Sequence, residues 1–210
     1  MNRKLIAEFL GTFGIVFAPV MASAAKTDLA IAAWVSGLAV TAMIYIFGPT
    51  SGAQFNPAVT LALALSGKHE KREVVPYIGA QFLGGLAAGL LSLLLFGGAF
   101  GTHVPAAPDQ AIRNIGTEIV LSAILMAVIF AVIRKENPFA PLVIGLTVVL
   151  LVMMGGNITG GSMNPARSLG PDIVGGSQTL GTIWVYLIGP PVGMVLAWLL
   201  ESKVLSTEAA

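Results

Sequence analysis

The residues with the most specific spacing in this chain form two Asn-Pro-Ala triplets: Asn56, Pro57 and Ala58, and Asn164, Pro165 and Ala166. Asparagine before proline predicts a helix N-cap followed by proline at the first helical position. A capping asparagine accepts with its side-chain oxygen, so its NH₂ group is left to donate. Two such amides, each beside the positive end of a helix dipole, would donate to a solute and repel cations. The alternative is ordinary capping of two helices.

Arg167 follows the second triplet directly, whereas Val59 holds the matching place after the first. A cation near a helix N-terminus is unfavourable because of the helix dipole, so the helix itself does not need this arginine. Its guanidinium must reach water, which predicts a water-filled path beside the helix. There it would donate to passing oxygens and repel cations. The alternative is an arginine that extends to the lipid headgroups.

Two carboxylates, Glu8 and Glu118, stand within apolar stretches at similar places in the two halves of the chain. A carboxylate inside a membrane is costly unless it has partners. In a structural role, each would accept hydrogen bonds from the backbone N–H groups of an irregular loop. The alternative is that the two carboxylates relay protons in a coupled transporter. Their symmetric placement favours the structural role. An intramembrane enzyme built on Glu118, Ser122 and Ser162 has no support from paired aspartates, a zinc motif or a Ser-His pair.

These polar residues lie in a chain that is 56% hydrophobic and only 10% charged, against about 25% charged residues in soluble domains. The net charge of +1 does not indicate a nucleic-acid partner, and the absence of cysteine excludes disulfides and thiolate metal sites. Six apolar stretches are long enough to span a lipid bilayer: Leu5–Ala24, Leu29–Gly48, Val74–Phe96, Ala111–Ile133, Phe139–Gly155 and Leu180–Leu200. We therefore predict an all-α, multi-pass membrane protein with one domain, residues 1–210.

The cationic residues divide unequally between the two sides of these spans. Only Lys26 and Arg113 flank one side, whereas the other side carries Arg3, Lys4, Lys68, Lys71, Arg72, Arg134, Lys135 and Lys203. The positive-inside rule places both termini on the cytoplasmic side. The membrane is expected to be a plasma membrane or cell inner membrane. The first span has the composition of a signal peptide, but Glu8 interrupts it, which favours a retained helix.

The chain also repeats itself. "GAQFNPAVTLAL" resembles "GGSMNPARSLGP", and "AEFLGTF" aligns with "TEIVLSA". Each half, about 1–105 and 106–210, holds two spans, a triplet segment and a third span, so the second half is inverted in the membrane. The triplet segments are too short to cross it. They are predicted to be half-helices that enter from opposite faces and meet at their N-termini.

The paired triplets, the "AEF" near the start and "SMNPARS" resemble the aquaporin, or major intrinsic protein, family over nearly the whole chain. The resemblance implies six transmembrane helices plus two re-entrant half-helices in an inverted two-fold repeat. It implies one pore per subunit of a homotetramer. The implied function is not enzymatic and needs no cofactor or metal: a passive channel for water and small neutral solutes that excludes protons and ions. Arg167 would then belong to the outer constriction, and Glu8 and Glu118 would be structural.

The resemblance also places four selectivity-filter positions at Ser36, Val152, Gly161 and Arg167. Water-selective members have an aromatic residue and usually a histidine at the first two positions. Glycerol-type members have aromatics at the first and third positions and an acidic residue where this chain has Ser168. The nearest pattern is the wide filter of nodulin-26-like and related bacterial channels, which pass glycerol, urea and silicic, boric or arsenous acid. A register shift that replaced Ser36 by Trp34 would instead give a strict water channel.

Several smaller predictions concern loops and helix crossings. Gln54 stands where many relatives have histidine, which keeps a donor near the cytoplasmic mouth without a group that protonation could switch. His69 and His103 are expected in solvated loops, without metal-ligand partners. "GPTSG" and "LGPD" are expected to be turns. Two G-x-x-x-G pairs predict close helix crossings, Gly85 with Gly89 and Gly189 with Gly193.

Overall fold

The computed structural model describes residues 2–134 and 137–205, which form helices and connecting loops without a β-strand. Six helices are long and apolar enough to cross a membrane, which confirms the predicted all-α, multi-pass fold. In chain order the helices are α1 Arg3–Ala24, α2 Leu29–Ser51, α3 Pro57–Leu65, α4 Val74–Phe96, α5 Ala111–Ile133, α6 Ala140–Thr159, α7 Pro165–Gly175, α8 Ser177–Leu180 and α9 Trp184–Leu200. Lys135, one of the cations predicted on the cytoplasmic side, lies outside the described residues.

Two segments that were expected to be turns are helical. Helix α2 continues through Pro49 to Ser51, and α7 includes all of "LGPD". A proline inside a helix removes one backbone hydrogen bond. Both prolines lie in the last turns of their helices, where little of the hydrogen-bond ladder follows them. Each helix then ends at a glycine with positive φ, Gly52 or Gly176.

Helices α3 and α7 are the half-helices that the triplets predicted. They contain nine and eleven residues, which span about 14–17 Å at 1.5 Å per residue, roughly half of a bilayer core. Each is capped by the asparagine of its triplet, whose Oδ1 accepts from the N–H two residues later at 2.9 Å. The prolines at the first helical position need no hydrogen bond there.

The half-helices sit in a bundle whose crossings depend on small residues. A Cβ added at Gly85 in α4 would collide with the carbonyl oxygen of Ala166 in α7, and one at Gly170 would collide with the backbone of Gly85. A Cβ at Gly193 in α9 would likewise collide with the carbonyl of Ile119 in α5. Backbones approach this closely only where no side chain intervenes. These contacts hold α7 against α4 and α9 against α5.

The packing partners in the two halves correspond. Helix α1 packs on α2 and α4, and α5 packs on α6 and α9 in the same way. Each half-helix packs against the last spanning helix of the other half, α3 on α9 and α7 on α4. The half-helices are therefore placed where elements of both halves meet.

Candidate functional site

A cavity of about 410 Å³ lies along the inner faces of the spanning helices and reaches both triplets. Apolar side chains of the spanning helices form part of its wall, including Ile15, Val40, Ile44, Leu125, Ile129 and Val148. Its polar groups come mainly from the loops and half-helices, including Gln54, Asn56, Gly161, Ser162, Asn164 and Arg167. A path with few polar groups among apolar walls passes a small neutral solute without holding it tightly.

The two triplet asparagines lie together and are bonded across the interface of the halves. Asn56 Nδ2 donates to the carbonyl of Met163 at 2.8 Å, and Asn164 Nδ2 donates to the carbonyl of Phe55 at 2.9 Å. Because an amide nitrogen carries two hydrogens, each side chain keeps one N–H beyond these bonds. Both asparagines line the cavity, so the remaining donors are available to a solute. The cross-bonds were not predicted from the sequence, which identified only the caps.

Both membrane carboxylates bind the loops that precede the triplets. Glu8 accepts from the backbone N–H groups of Gln54 at 3.0 Å and Phe55 at 2.7 Å. Glu118 accepts from those of Ser162 at 3.1 Å and Met163 at 2.8 Å. Both carboxylates are fully buried. This geometry is that of the structural alternative rather than of a proton relay along the cavity, which neither carboxylate lines.

The carboxylates hold a strained backbone. Phe55 and Met163, the residues directly before the two asparagines, have φ of 51° and 56°, in the left-handed region that side chains other than glycine rarely adopt. Such strain persists only where surrounding contacts determine it. The carboxylate bond to the N–H of each residue supplies such a contact.

Two tyrosines that sequence reasoning missed complete the loop supports. Tyr77 donates its hydroxyl to the carbonyl of Ser51 at 3.0 Å, and Tyr186 donates to that of Thr159 at 2.6 Å. Ser51 and Thr159 are themselves bound to Glu8 and Glu118 through their hydroxyls. The sequence contained a signal for this pair, since Tyr77 stands two residues before Gly79 and Tyr186 stands three residues before Gly189, at similar places in the two halves.

The structure brings three of the four predicted filter residues to one cavity. Ser36, Gly161 and Arg167 line it, and Arg167 Nη1 donates to the carbonyl of Gly161 at 3.0 Å. Val152 is buried and does not line the cavity. It lies directly behind Gly161: a Cβ added at Gly161 would be 3.2 Å from the Val152 Cα. Trp34 is 46% exposed and is likewise absent from the cavity wall.

His103 is not the solvated loop residue expected from the sequence. It is 4% exposed, and its Nε2 lies 2.7 Å from Arg167 Nη1. Burial, together with the neighbouring guanidinium, holds the pKa of His103 well below its ordinary value. The ring is therefore a neutral acceptor for the arginine. No sequence signal identified it, because the loop between α4 and α5 lies outside the aligned repeat segments.

His69 is also partly buried rather than fully solvated. Its Nδ1 lies 3.0 Å from Gln54 Nε2, and its ring packs on Tyr77 with the ring centres 4.6 Å apart. Both His69 and Gln54 line the cavity. An ionisable group therefore stands beside Gln54, contrary to the expectation that this mouth lacks one.

The described residues form six membrane-length helices around one cavity, and a half-helix from each half of the chain reaches that cavity. This arrangement is that of a membrane channel. A profile of the family described as "Major intrinsic protein" matches residues 1–200. The chain belongs to this family, as its triplets predicted.

Individual relatives and a solved structure agree with this assignment. The chain is 43% identical over 209 residues to "Aquaporin NIP1-1" of Zea mays, covering 93% of this chain and 73% of that protein. It is 37% identical over 205 residues to "Glycerol uptake facilitator protein-like 6" of Lactiplantibacillus plantarum, covering 93% and 94%. Its fold matches the aquaglyceroporin from Plasmodium falciparum with a TM-score of 0.87 and 27% identity, over 97% of this chain and 96% of that one.

Proposed function

We propose that this protein is a passive channel for water and small uncharged solutes of the size of glycerol, urea and boric, silicic or arsenous acid. The observation that carries the proposal is the pair of cross-bonded asparagines, Asn56 and Asn164, each with one N–H left over at the cavity. Donors at this point bind the oxygen of a passing solute. Passage needs no covalent step and no cofactor.

The same donors account for proton exclusion. A water molecule that accepts from an asparagine N–H turns its oxygen toward the protein and its hydrogens away. Adjacent waters then cannot form the continuous hydrogen-bond chain that a proton would follow. The positive ends of α3 and α7, and the guanidinium of Arg167, add an electrostatic barrier to cations.

We propose Ser36, Gly161 and Arg167 as the lining of the selectivity filter, with Val152 as the buried support behind Gly161. The two lining residues other than the arginine, Ser36 and Gly161, are small, so the opening is wider than one lined by aromatics. The similarity to a protein named as a glycerol uptake facilitator supports solutes larger than water. Because Trp34 does not line the cavity, no observation favours the strict water channel.

The remaining proposals concern orientation and assembly. Residues 1–210 form one channel domain of two inverted halves, about 1–105 and 106–210, which the corresponding packing of α1–α4 and α5–α9 supports. Lys4, Lys68 and His69 line the cavity where cations are concentrated, which supports cytoplasmic termini in a plasma or inner membrane. The wide apolar faces of the spanning helices, which include Leu38, Ile46 and Leu150, support contact with lipid and with other subunits of a homotetramer.

Stopped-flow light scattering on proteoliposomes tests the solute range. In one experiment the vesicles are mixed with an osmolyte that does not cross the membrane, which measures water flow alone. In separate experiments they are mixed with glycerol, urea or boric acid. We expect fast shrinkage with every osmolyte and, with glycerol, urea or boric acid, re-swelling that is faster than in empty liposomes. Water flow at the rate of empty liposomes would contradict the channel itself, and fast water flow without solute re-swelling would contradict only the wide filter.

A narrowing substitution tests the filter residues directly. Ser36→Phe places an aromatic ring at the wall of the cavity that Arg167 also lines. Solute re-swelling should therefore fall by about tenfold or more while water flow falls less, because a shape clash excludes the larger solute first. Trp34→Phe is the matched control, because Trp34 lies two residues away and does not line the cavity. An equal loss in both variants would contradict the proposed place of Ser36.

A further inference from the structure

The loop between α4 and α5 is attached to the second half-helix through the buried residue His103. The backbone N–H of His103 donates to Asp172 Oδ1 at 2.8 Å. The His103 ring lies 2.7 Å from Arg167 through Nε2 and packs against Tyr186, with the ring centres 5.5 Å apart. Asp172 and Arg167 both belong to α7. One loop residue thus connects a carboxylate and a guanidinium of the same half-helix.

We propose that Asp172 and His103 are positioning residues for the selectivity filter: Asp172 fixes the loop backbone, and the His103 ring fixes the guanidinium of Arg167. The inference rests on the proposed role of Arg167 in the filter. It assigns a selectivity role to two residues outside the four filter positions.

The hydrogen-bond chemistry determines the state of the ring. Arginine has donors only, so Nε2 must accept from Nη1 and the ring proton must sit on Nδ1. A protonated ring could not accept and would place a second cation against the guanidinium. Nη1 is therefore held by two acceptors, His103 Nε2 and the carbonyl of Gly161 at 3.0 Å. With Nη1 fixed in this way, the remaining N–H groups of Arg167 keep one direction toward the cavity.

The surroundings leave the ring little room to move. A Cβ added at Gly160 would lie 2.8 Å from the His103 ring. Tyr186, which also packs on this ring, is held by its hydrogen bond to the carbonyl of Thr159. The ring therefore fills a slot between the loop before the second triplet and α9. A long arginine side chain without this stop would lose its single orientation, because its rotamers are otherwise many.

Asp172 is fully buried, and its second oxygen has no hydrogen-bond partner among the described residues. A buried carboxylate with an unpaired oxygen is expensive if it only holds a loop. Asp172 lies on the same half-helix as Arg167, so the bond from the His103 N–H attaches the loop to the helix that carries the guanidinium.

The test compares truncation with replacement by an amide at both positions. His103→Ala and Asp172→Ala remove the acceptors, whereas the amide oxygens in His103→Gln and Asp172→Asn can still accept. Asp109→Asn, an exposed carboxylate in the same loop, is the control for charge. Proteoliposomes containing each full-length variant are assayed for glycerol re-swelling relative to water flow and for proton entry with an enclosed pH dye.

We expect the glycerol-to-water ratio to rise by about tenfold in His103→Ala, the equivalent of one lost hydrogen bond to a charged group, with faster proton entry. Asp172→Ala should shift both readouts in the same direction, and the Gln and Asn variants should recover most of the wild-type ratio. A merely structural role would lower the number of working channels without moving the ratio, and this outcome would overturn the proposal.

Arg167→Val separates the failure of this inference from failure of the proposed filter. If Arg167→Val changes the ratio and His103→Ala does not, the positioning role is wrong while the filter stands. If neither changes it, the proposed filter itself is wrong. Should Asp172→Ala fail to yield monodisperse protein, the His103→Ala and His103→Gln pair still decides the result.

Discussion

The loops that precede the two triplets have the same supports but different neighbours at the cavity. In each, a buried glutamate accepts from two successive backbone N–H groups, a tyrosine hydroxyl donates to a carbonyl, and an asparagine bonds across to the other loop. At the cavity, however, Val59 follows the first triplet where Arg167 follows the second. His69 bonds to Gln54 in one half, and His103 bonds to Arg167 in the other.

The shared contacts satisfy backbone groups that cannot otherwise be satisfied inside a membrane, so both halves need them. The contacts that differ touch side chains at the cavity and therefore decide what passes at each end. The comparison separates the scaffold from the selectivity machinery. Substitutions in the shared contacts should affect stability in both halves, and substitutions in the unlike contacts should affect permeation at one end.

The strongest way to break the comparison is to remove the carboxylates one at a time. Glu8→Ala and Glu118→Ala each leave two buried backbone N–H groups without an acceptor, at about 1–3 kcal/mol each, and Glu8→Ala also removes one acceptor of the Gln81 amide. We expect the unfolding temperature in detergent to fall by roughly 5–20 °C in both variants, measured by light scattering during heating. The exposed Asp109→Asn should leave it unchanged. A large fall in one variant only would show that the two loops are not equivalent.

Arg167→Val gives the second half-helix the residue that the first one has. The helix loses an unfavourable charge near its N-terminus, so the unfolding temperature should change little. Proton and cation entry should rise by about tenfold because the positive barrier is gone. Arg167→Lys keeps the charge and should retain cation exclusion. If both variants exclude cations as well as the wild type, the difference between the two halves does not govern selectivity.

Removing the tyrosine hydroxyls tests the shared supports with a smaller expected loss of stability. Tyr77→Phe and Tyr186→Phe keep the rings but lose one hydrogen bond each, at about 1 kcal/mol, or roughly 2–4 °C in unfolding temperature. The two decreases should be equal, because both hydroxyls donate to a carbonyl of the same kind. Unequal decreases would assign a further role to the tyrosine with the larger one.

The smallest effect concerns pH. Because burial and Arg167 lower the pKa of His103 in the folded protein, the unfolded chain binds more protons there below its ordinary pKa of about 6.5. The contribution of His103 to stability is therefore complete above that pH and declines as the pH falls, by at most about 1.4 kcal/mol per unit. The charged or titratable groups around the ring are Arg167, Asp172 and Tyr186.

The test is the stability of His103→Gln and of the wild type, measured between pH 7 and pH 5. The variant should lose stability less steeply as the pH falls, and equal slopes of stability against pH would contradict a neutral His103.

Residues close together in the sequence were sufficient to predict the scaffold. Length and hydrophobicity gave the six spans, because a bilayer fixes how many apolar residues must follow one another. The triplets gave the half-helices, because an N-cap and the proline after it act within one turn. Glu8 and Glu118 were predicted to bind loop N–H groups, since a buried carboxylate needs donors. The filter positions and the domain halves stay predictions.

What the sequence determined by itself is thus the class of fold, the caps and the family, all of which depend on local chemistry or on motifs of fixed spacing. Only the tertiary structure decided the bonds from each asparagine to the opposite loop, the position of Val152 behind Gly161 and the contact of His103 with Arg167. These contacts join segments that are far apart along the chain. Their partners are chosen by how the helices pack, and close packing depends on backbone geometry that no single stretch of residues specifies.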